Sequence, residues 1–335
     1  MKMKHAVVIT SIFPPTAAVR QWRDMDFGSL IVVGDQKTPA PWSLENTVFI
    51  SAVAQKKLPF HIISNLPWNH YARKMIGYLM AMSQGADVIL DTDDDNFPIE
   101  RYGVLDQTGI YPVSPQNRGF VNVYRQFTDQ FIWPRGFPLN RIRSENTVIQ
   151  QTEWQDQAVT TGIWQGLVNG EPDVDAIYRL TINSPCTFRP EKPVVLDKGT
   201  ICPFNSQNTA FFRDAFALMY LPAFVTFRFT DILRGLVAQP ILWQAGLRLG
   251  FTGPTAFQDR NPHNLMSDFV SEIPCYLNAE TVIELTQSAV RPDDSISDNL
   301  FRTYEALCRQ DIVPDSELVL LEAWLKDCEA NITST

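Results

Sequence analysis

At 335 residues, 45% hydrophobic and 19% charged, the chain has the composition of an ordinary globular protein, long enough for one large α/β domain or two smaller ones, and intrinsic disorder is excluded. A net charge of −9 argues against a nucleic-acid partner, because contacts to phosphate backbones need a basic surface, whereas a nucleotide needs only a metal ion and a few local basic groups. The five cysteines, at 186, 202, 275, 308 and 328, show no metal-binding spacing and read as reduced thiols. With no signal peptide and no apolar run of the ~20 residues that a membrane span needs, a cytoplasmic protein without a transmembrane segment is expected.

In chain order, residues 6–12 form an apolar strand and residues 30–33 a second, which ends at Gly34-Asp35-Gln36-Lys37-Thr38-Pro39. Residues 48–51 and 61–64 are further short strand candidates. Ala72, Met75, Ile76, Leu79 and Met82 recur at helical spacing with Gly85 as a stop, predicting a helix over about 69–84. Val88-Ile89-Leu90 then reads as a buried parallel strand, and it ends in Asp91-Thr92-Asp93-Asp94-Asp95-Asn96. Strands of open α/β sheets deliver ligand-binding groups at their carboxyl ends. So many carboxylates would repel one another unless a cation sat among them, and hard cations such as Mg2+ or Mn2+ take oxygen ligands and bridge to phosphates. The pattern predicts a metal–diphosphate site. A solvated acidic loop is the competing reading, disfavoured by the helix and apolar strand that lead in.

Residues 100–160 are rich in Pro, Asn, Arg and aromatics and read as long ligand-shaping loops, with Phe131, Trp133 and Phe137 implying burial. Residues 176–181 and 209–212 are predicted as strands returning to the sheet. Residues 215–250 mix helix and strand signals around Asp231-Ile232-Leu233-Arg234-Gly235. Beyond about 278 the pattern is helical, over 280–290, 298–309 and 316–327. A division follows between a catalytic domain over 1–277 and a helical extension over 278–335, packed on the core or on a partner subunit.

Five segments carry a resemblance: Val33-Gly34-Asp35-Gln36-Lys37-Thr38-Pro39, Arg73-Lys74-Met75-Ile76-Gly77-Tyr78, the Asp91 to Asn96 run, Glu171-Pro172-Asp173-Val174-Asp175-Ala176-Ile177-Tyr178-Arg179-Leu180, and Asp231-Ile232-Leu233-Arg234-Gly235. Together they are similar to the STELLO-like glycosyltransferases, over roughly residues 5–275, with the acidic run and the Pro172 to Leu180 element the most specific. The resemblance implies a GT-A (Rossmann-like) α/β fold, with a mostly parallel central sheet flanked by helices. It also implies a transferase that uses a nucleotide-diphospho sugar. Plant members are anchored in the Golgi membrane; no such anchor is read here, which points to a soluble, bacterial-type enzyme.

In a GT-A site an Asp-x-Asp motif holds a divalent cation, Mn2+ or Mg2+, against the donor diphosphate. Asp93 and Asp95 alternate on one face of an extended segment and are the natural pair. Asp91 is then placed for the ribose or base and Asp94 is expected to point away, although spacing alone leaves Asp91 with Asp93 open. Thr10, Ser11 and Asp35, at the ends of the first two strands, are candidates for reading the nucleoside, with ordinary turn roles as the alternative. Lys37, and at least one of Arg73 and Lys74, are candidates for the diphosphate, with solvent-exposed basic side chains as the competing reading.

Asp231, after an aromatic lead-in, is the candidate catalytic base. Burial is expected to raise its pKa, and helix capping is the competing role. Arg234, one turn on, stabilises the leaving phosphate or pairs with Asp231. The resemblance implies His263 as a further metal ligand, with an exposed or hydrogen-bonded loop histidine as the competing reading. Asp173 and Asp175 are candidates for binding acceptor, or donor, hydroxyls, with turn carboxylates an equal alternative, and Trp133, Trp243 and Phe251 are candidates to stack on sugars, with core packing the default for aromatics.

The reading is a metal-dependent hexosyl- or pentosyltransferase that takes a sugar from a UDP- or GDP-sugar to a glycan or lipid-linked acceptor. Inverting displacement through Asp231 is expected, with a retaining front-face route as the alternative; a place in polysaccharide biosynthesis is expected, and a homo-oligomer is an option. Two alternatives stay open: a nucleotide-sugar mutase or self-glycosylating protein, and a non-enzymatic Ca2+-dependent carbohydrate-binding module.

Overall fold

The computed structural model describes residues 3–25, 27–99, 105–259 and 264–332. Its first part alternates strands and helices: β1 (His5–Thr10), α1 (Ala17–Asp24), β2 (Ser29–Val33), β3 (Thr47–Ile50), α2 (Ala52–Gln55), α3 (Lys74–Ser83) and β4 (Val88–Thr92). The four strands are parallel, in the order β3-β2-β1-β4. Successive side chains of a strand point to opposite faces. Val8, Ile31, Val33 and Ile89 therefore pack with Met75, Ile76 and Leu79 of α3, while Val7, Ile9, Val32 and Leu90 pack with Val19 and Trp22 of α1 on the other face. Helix α3 lies close on the sheet because residue 77 is glycine: a Cβ there would come within 2.5 Å of Val8 Cγ1.

The chain continues through β5 (Asn96–Pro98), β6 (Thr108–Val113), β7 (Gly119–Phe120), α4 (Tyr124–Phe127), β8 (Gln155–Gly170), α5 (Ala176–Thr181), β9 (Val194–Leu196), β10 (Thr200–Ile201), β11 (Asn208–Phe212), α6 (Thr230–Gln244) and β12 (Arg248–Gln258). Strand β11 joins antiparallel to β4 and links the parallel half to β8. Beyond it β8 pairs with both β6 and β12, and β9 bridges those two, closing a four-strand ring. The expected α/β arrangement is present, but only the β3-β2-β1-β4 half is purely parallel; the rest of the sheet is mixed.

Three helices follow, α7 (Leu265–Ala289), α8 (Ile296–Arg309) and α9 (Ser316–Ile332), and the expected boundary at 277/278 falls inside α7. The last helix is bound into the core. Asp327 accepts from the backbone N–H groups of His61 and Ile62 at 2.8 and 2.9 Å, and Glu317 accepts from those of Ala223 and Phe224 at 3.0 and 2.9 Å. No helix among the described residues is long and apolar enough to cross a membrane. All five cysteines are free thiols.

Three expectations need correction. Residues 61–64 form a 3-10 turn rather than a strand. Residues 176–181 form helix α5, because Asp175 caps it by accepting from Tyr178 N. The region read as loops up to 160 contains β6 and the first third of the long strand β8.

Candidate active site

Order 3-2-1-4 has its switch point between β1 and β4, where the chain departs in opposite directions and leaves a crevice at the carboxyl ends of the strands. A cavity of about 460 Å3 opens there. It is lined by Thr10 and Ser11 after β1, Asp35 and Lys37 after β2, Asp93, Asp94 and Asp95 after β4, and Asp173, Arg135 and Asp231 on the far side. This volume is in the range of small-molecule sites.

The loop after β2 is fastened to β1 by Thr38, whose Oγ1 donates to Ser11 O at 2.8 Å and accepts from Asp35 N at 2.7 Å. Asp35 accepts from the N–H groups of Gln36 and His70 at 2.6 and 3.1 Å, which aims the remainder of its carboxylate at the cavity. Arg73 is buried, stacked 3.5 Å from the centroid of the Trp68 ring, and donates to Gln55 Oε1 at 2.7 Å and Leu66 O at 3.1 Å. Its Nη2 has no protein partner, so a donor remains on this wall. Burial, against the opposing charge of Asp35, lowers the Arg73 guanidinium to about 10.

The acidic run divides into two functions. Asp91 is fully buried between Lys74 Nζ at 2.6 Å and Arg234 Nη1 at 2.8 Å, so it cannot reach a ribose or base as expected. Lys74 is equally buried and its ammonium is taken by Asp91 and by Asp93 at 2.9 Å; it holds the acidic tip from behind instead of meeting a phosphate. Burial pulls this ammonium down, but the two carboxylates outweigh it and leave it above the ordinary lysine value. Arg234 pairs with Asp91 and with Asn205 O at 3.0 Å, not with a cavity ligand and not with Asp231. Gly235 allows this approach, since a Cβ would lie 2.3 Å from Phe204 O.

Asp93, Asp94 and Asp95 all face the cavity, including Asp94, which was expected to point away. Asp93 accepts from Tyr71 Oη at 3.1 Å, Asp94 accepts from Ser11 Oγ, and Asp95 accepts from Gln258 Nε2 at 3.0 Å. Burial, with the like charges of Asp95 and Asp91 and against the pull of Lys74, pushes Asp93 up to about 6. Burial likewise raises Asp94 to about 6, against the Ser11 hydrogen bond. Carboxylates held this far above their ordinary value gain from a cation, and their hard oxygens fit a divalent one. Among the described residues no group of three or more His, Cys, Asp or Glu side chains forms a metal cage by itself. His263 lies outside the described residues.

On the opposite wall Arg135 joins two carboxylates. It donates to Asp173 through Nε and Nη2, both at 2.8 Å, and to Asp231 through Nη1 and Nη2 at 3.0 and 2.9 Å. Asp231 also accepts from Ser206 N at 3.2 Å. It sits in the first turn of α6, whose cap position is Phe229, so the capping role is not its own. Burial raises its carboxyl as expected, but the Arg135 guanidinium and hydrogen bonds, with Arg234 and Arg228 beyond, outweigh burial and hold it below the ordinary carboxylate range.

Asp175 does not reach the cavity: it is buried, accepting from Trp133 Nε1 at 2.6 Å and from Tyr178 N at 2.8 Å. Trp133 is thereby a core residue, as are Trp243 and Phe251, and none of the three lines the cleft. The lining also includes His70, Tyr71, Arg135, Gln207, Phe227 and Gln258, which sequence reasoning missed. Only Arg135 carried a signal, a lone arginine inside the aromatic and proline-rich stretch Trp133-Pro134-Arg135-Gly136-Phe137-Pro138.

Fold and cavity define an α/β protein with a carboxylate-lined cleft at the switch point of a parallel half-sheet. The resemblance read from the five sequence motifs is borne out by comparison with known proteins: residues 228–332 match the family model described as STELLO glycosyltransferases. The chain is 29% identical over 344 residues to the probable glycosyltransferase STELLO1 of Arabidopsis thaliana, and 29% identical over 346 residues to STELLO2 of the same plant. Each alignment covers 96% of this chain and 44% of the relative, so the chain spans less than half the length of the curated relatives it matches. Among solved structures it is similar to the crystal structure of M. tuberculosis glucosyl-3-phosphoglycerate synthase, with a TM-score of 0.38 and 13% identity, covering 83% of this chain and 80% of that one.

Proposed function

We propose that the chain is a metal-dependent glycosyltransferase that moves a hexosyl or pentosyl group from a UDP- or GDP-sugar to a glycan or lipid-linked hydroxyl acceptor. The observation that carries this reading is the convergence of Asp93, Asp94 and Asp95 on one cavity with the ends of β1 and β2 on one side and Asp231 on the other.

Asp35, Ser11 and Thr10 meet the nucleoside, while Lys37 and the unpartnered Nη2 of Arg73 meet the diphosphate. Asp93 and Asp95 hold the cation, with Lys74 and Gln258 fixing their orientation. A divalent cation supplies Lewis-acid neutralisation of the leaving nucleoside diphosphate. Asp231 receives the proton of the acceptor hydroxyl in an inverting displacement. Arg135 keeps this carboxylate ionised, the form a general base requires, and fixes its direction. Asp173, on the same guanidinium, lies beside the acceptor. The free thiols suit a reducing compartment, and a cytoplasmic step of polysaccharide assembly is the setting proposed.

Calorimetric titration of UDP, GDP and their sugars, with and without Mn2+, tests the reading. Metal-dependent binding of one nucleotide family, abolished in Asp93→Ala/Asp95→Ala, is the expected result. Binding of Ca2+ and glycans with no affinity for any nucleotide would overturn it in favour of a carbohydrate-recognition module.

A further inference from the structure

A second cavity, of about 270 Å3, lies between α4 and the turns near 142–148, and none of the groups above uses it. Two arginines reach it. Arg125 has its Nε buried with no hydrogen-bond partner, and among the described residues its guanidinium forms no ion pair. Arg143 places its guanidinium over the ring of Phe131, 5.8 Å from the centroid, and likewise holds no carboxylate among the described residues. This contrasts with Arg118, Arg135, Arg141, Arg179 and Arg189, each of which holds an acidic partner. In a chain of net charge −9, two guanidinium groups without an acidic partner on one cavity form a local site for an anion.

The other lining groups point to what carries that anion. Asn122 is 5% exposed; its Nδ2 donates to Ile132 O at 2.7 Å, while its Oδ1 is buried without a partner and awaits a donor. Ser144 adds a hydroxyl, and Phe131, 39% exposed, offers a flat apolar surface. Glu145 also borders the cavity and opposes an anion, one negative group against two positive ones. Inorganic phosphate would satisfy the arginines and has a P–OH to donate to the Asn122 oxygen, but it has no face to lay on the exposed Phe131 ring.

We infer that this cavity binds an acidic sugar, a ring that carries a carboxylate or phosphate for Arg125 and Arg143, a hydroxyl for Asn122 Oδ1 and a face for Phe131. Phe131 stands four residues before Arg135, a chain span of at most ~14 Å, which makes the cavity a subsite for an extended acceptor leading to the cleft. That placement rests on the transferase reading; the binding site does not.

The full chain is titrated with glucuronate, glucose 6-phosphate, glucose and inorganic phosphate, alongside Arg125→Gln and Arg143→Gln, with thermal unfolding to verify the fold of each variant. Saturable binding of glucuronate or glucose 6-phosphate is expected, with glucose and inorganic phosphate at least tenfold weaker, a tenfold or greater loss in both variants, and Mn2+-dependent UDP binding unchanged by them. Whichever acidic sugar binds more tightly identifies the charged group. No binding of either, equal binding of glucose or inorganic phosphate, or binding retained in both variants overturns the inference. Absence of UDP binding with acidic-sugar binding intact removes only the transferase reading.

Discussion

Arg135 holds Asp231 by both carboxylate oxygens, at 3.0 and 2.9 Å, and it is buried together with its partner. Removing one member of such a group leaves an uncompensated charge away from water. Arg135→Leu strands two carboxylates, Asp173 and Asp231, and should lower the unfolding free energy by about 3–5 kcal/mol. Chemical denaturation read by tryptophan fluorescence measures this; a change below about 1 kcal/mol would mean that solvent reaches the pair.

Asp231→Asn keeps the shape of the site and removes the proton acceptor. Transfer to the acceptor should fall by about 10²–10⁴-fold, with nucleotide affinity unchanged. Initial rates beside calorimetric titration separate the two quantities. Unaltered transfer would assign the base role elsewhere or point to a retaining route.

Asp91 and Asp95 stand four residues apart and should respond in opposite ways. Asp91→Asn weakens the buried Lys74 and Arg234 pairs and should reduce stability by about 3–5 kcal/mol while leaving metal-dependent nucleotide binding nearly intact in the folded fraction. Asp95→Asn should do the reverse: a small stability change, with nucleotide affinity reduced by at least the ~10–100-fold that loss of a supporting metal-site group costs. Melting curves and titrations of both variants give the comparison, and equal loss of affinity in the two would restore Asp91 to the donor site.

Asp93 and Asp94, raised to about 6, give the metal-free protein a specific pH dependence. Their folded-state values exceed the unfolded ones, so the stability they contribute is complete below about pH 4 and is lost as pH rises through 6. Asp231 has the opposite sign: its contribution is present above about pH 4 and disappears only in stronger acid. Between pH 5 and 7.5 the metal-free chain should lose on the order of 1 kcal/mol, a few degrees in Tm, and Mn2+ should reverse the loss by binding ionised Asp93 together with Asp95. A Tm that rises over this interval without metal would contradict the assignment.

The parallel half of the fold was legible because β1, β2 and β4 are short apolar runs buried on both faces, and α3 because its apolar positions recur at helical spacing. Helix α5 was not, since Ala176-Ile177-Tyr178 has strand character and only the Asp175 cap decides the matter. Strand β8 was missed because its first residues, Gln155-Asp156-Gln157-Ala158, lie at an exposed edge and lack apolar alternation. The acidic tip of β4 was readable as a site, but which aspartates face inward depends on Lys74 and Arg234, which arrive from helices 17 and 143 residues away from Asp91. The pKa of Asp231 was misjudged for a similar reason: Arg135 lies 96 residues away, and no local pattern announces the pairing.

The burial of Asp91 between Lys74 and Arg234 has a mechanical consequence. One carboxylate at the end of β4 ties the start of α3 to the middle of α6, and α6 carries Asp231 in its first turn. The strand that bears the acidic tip and the helix that bears Asp231 are therefore tied into one frame. The aspartates are thus the fixed side of the cleft, and the groups left free to adjust to what enters are the exposed side chains of Ile12, Phe13 and Phe227 at its rim.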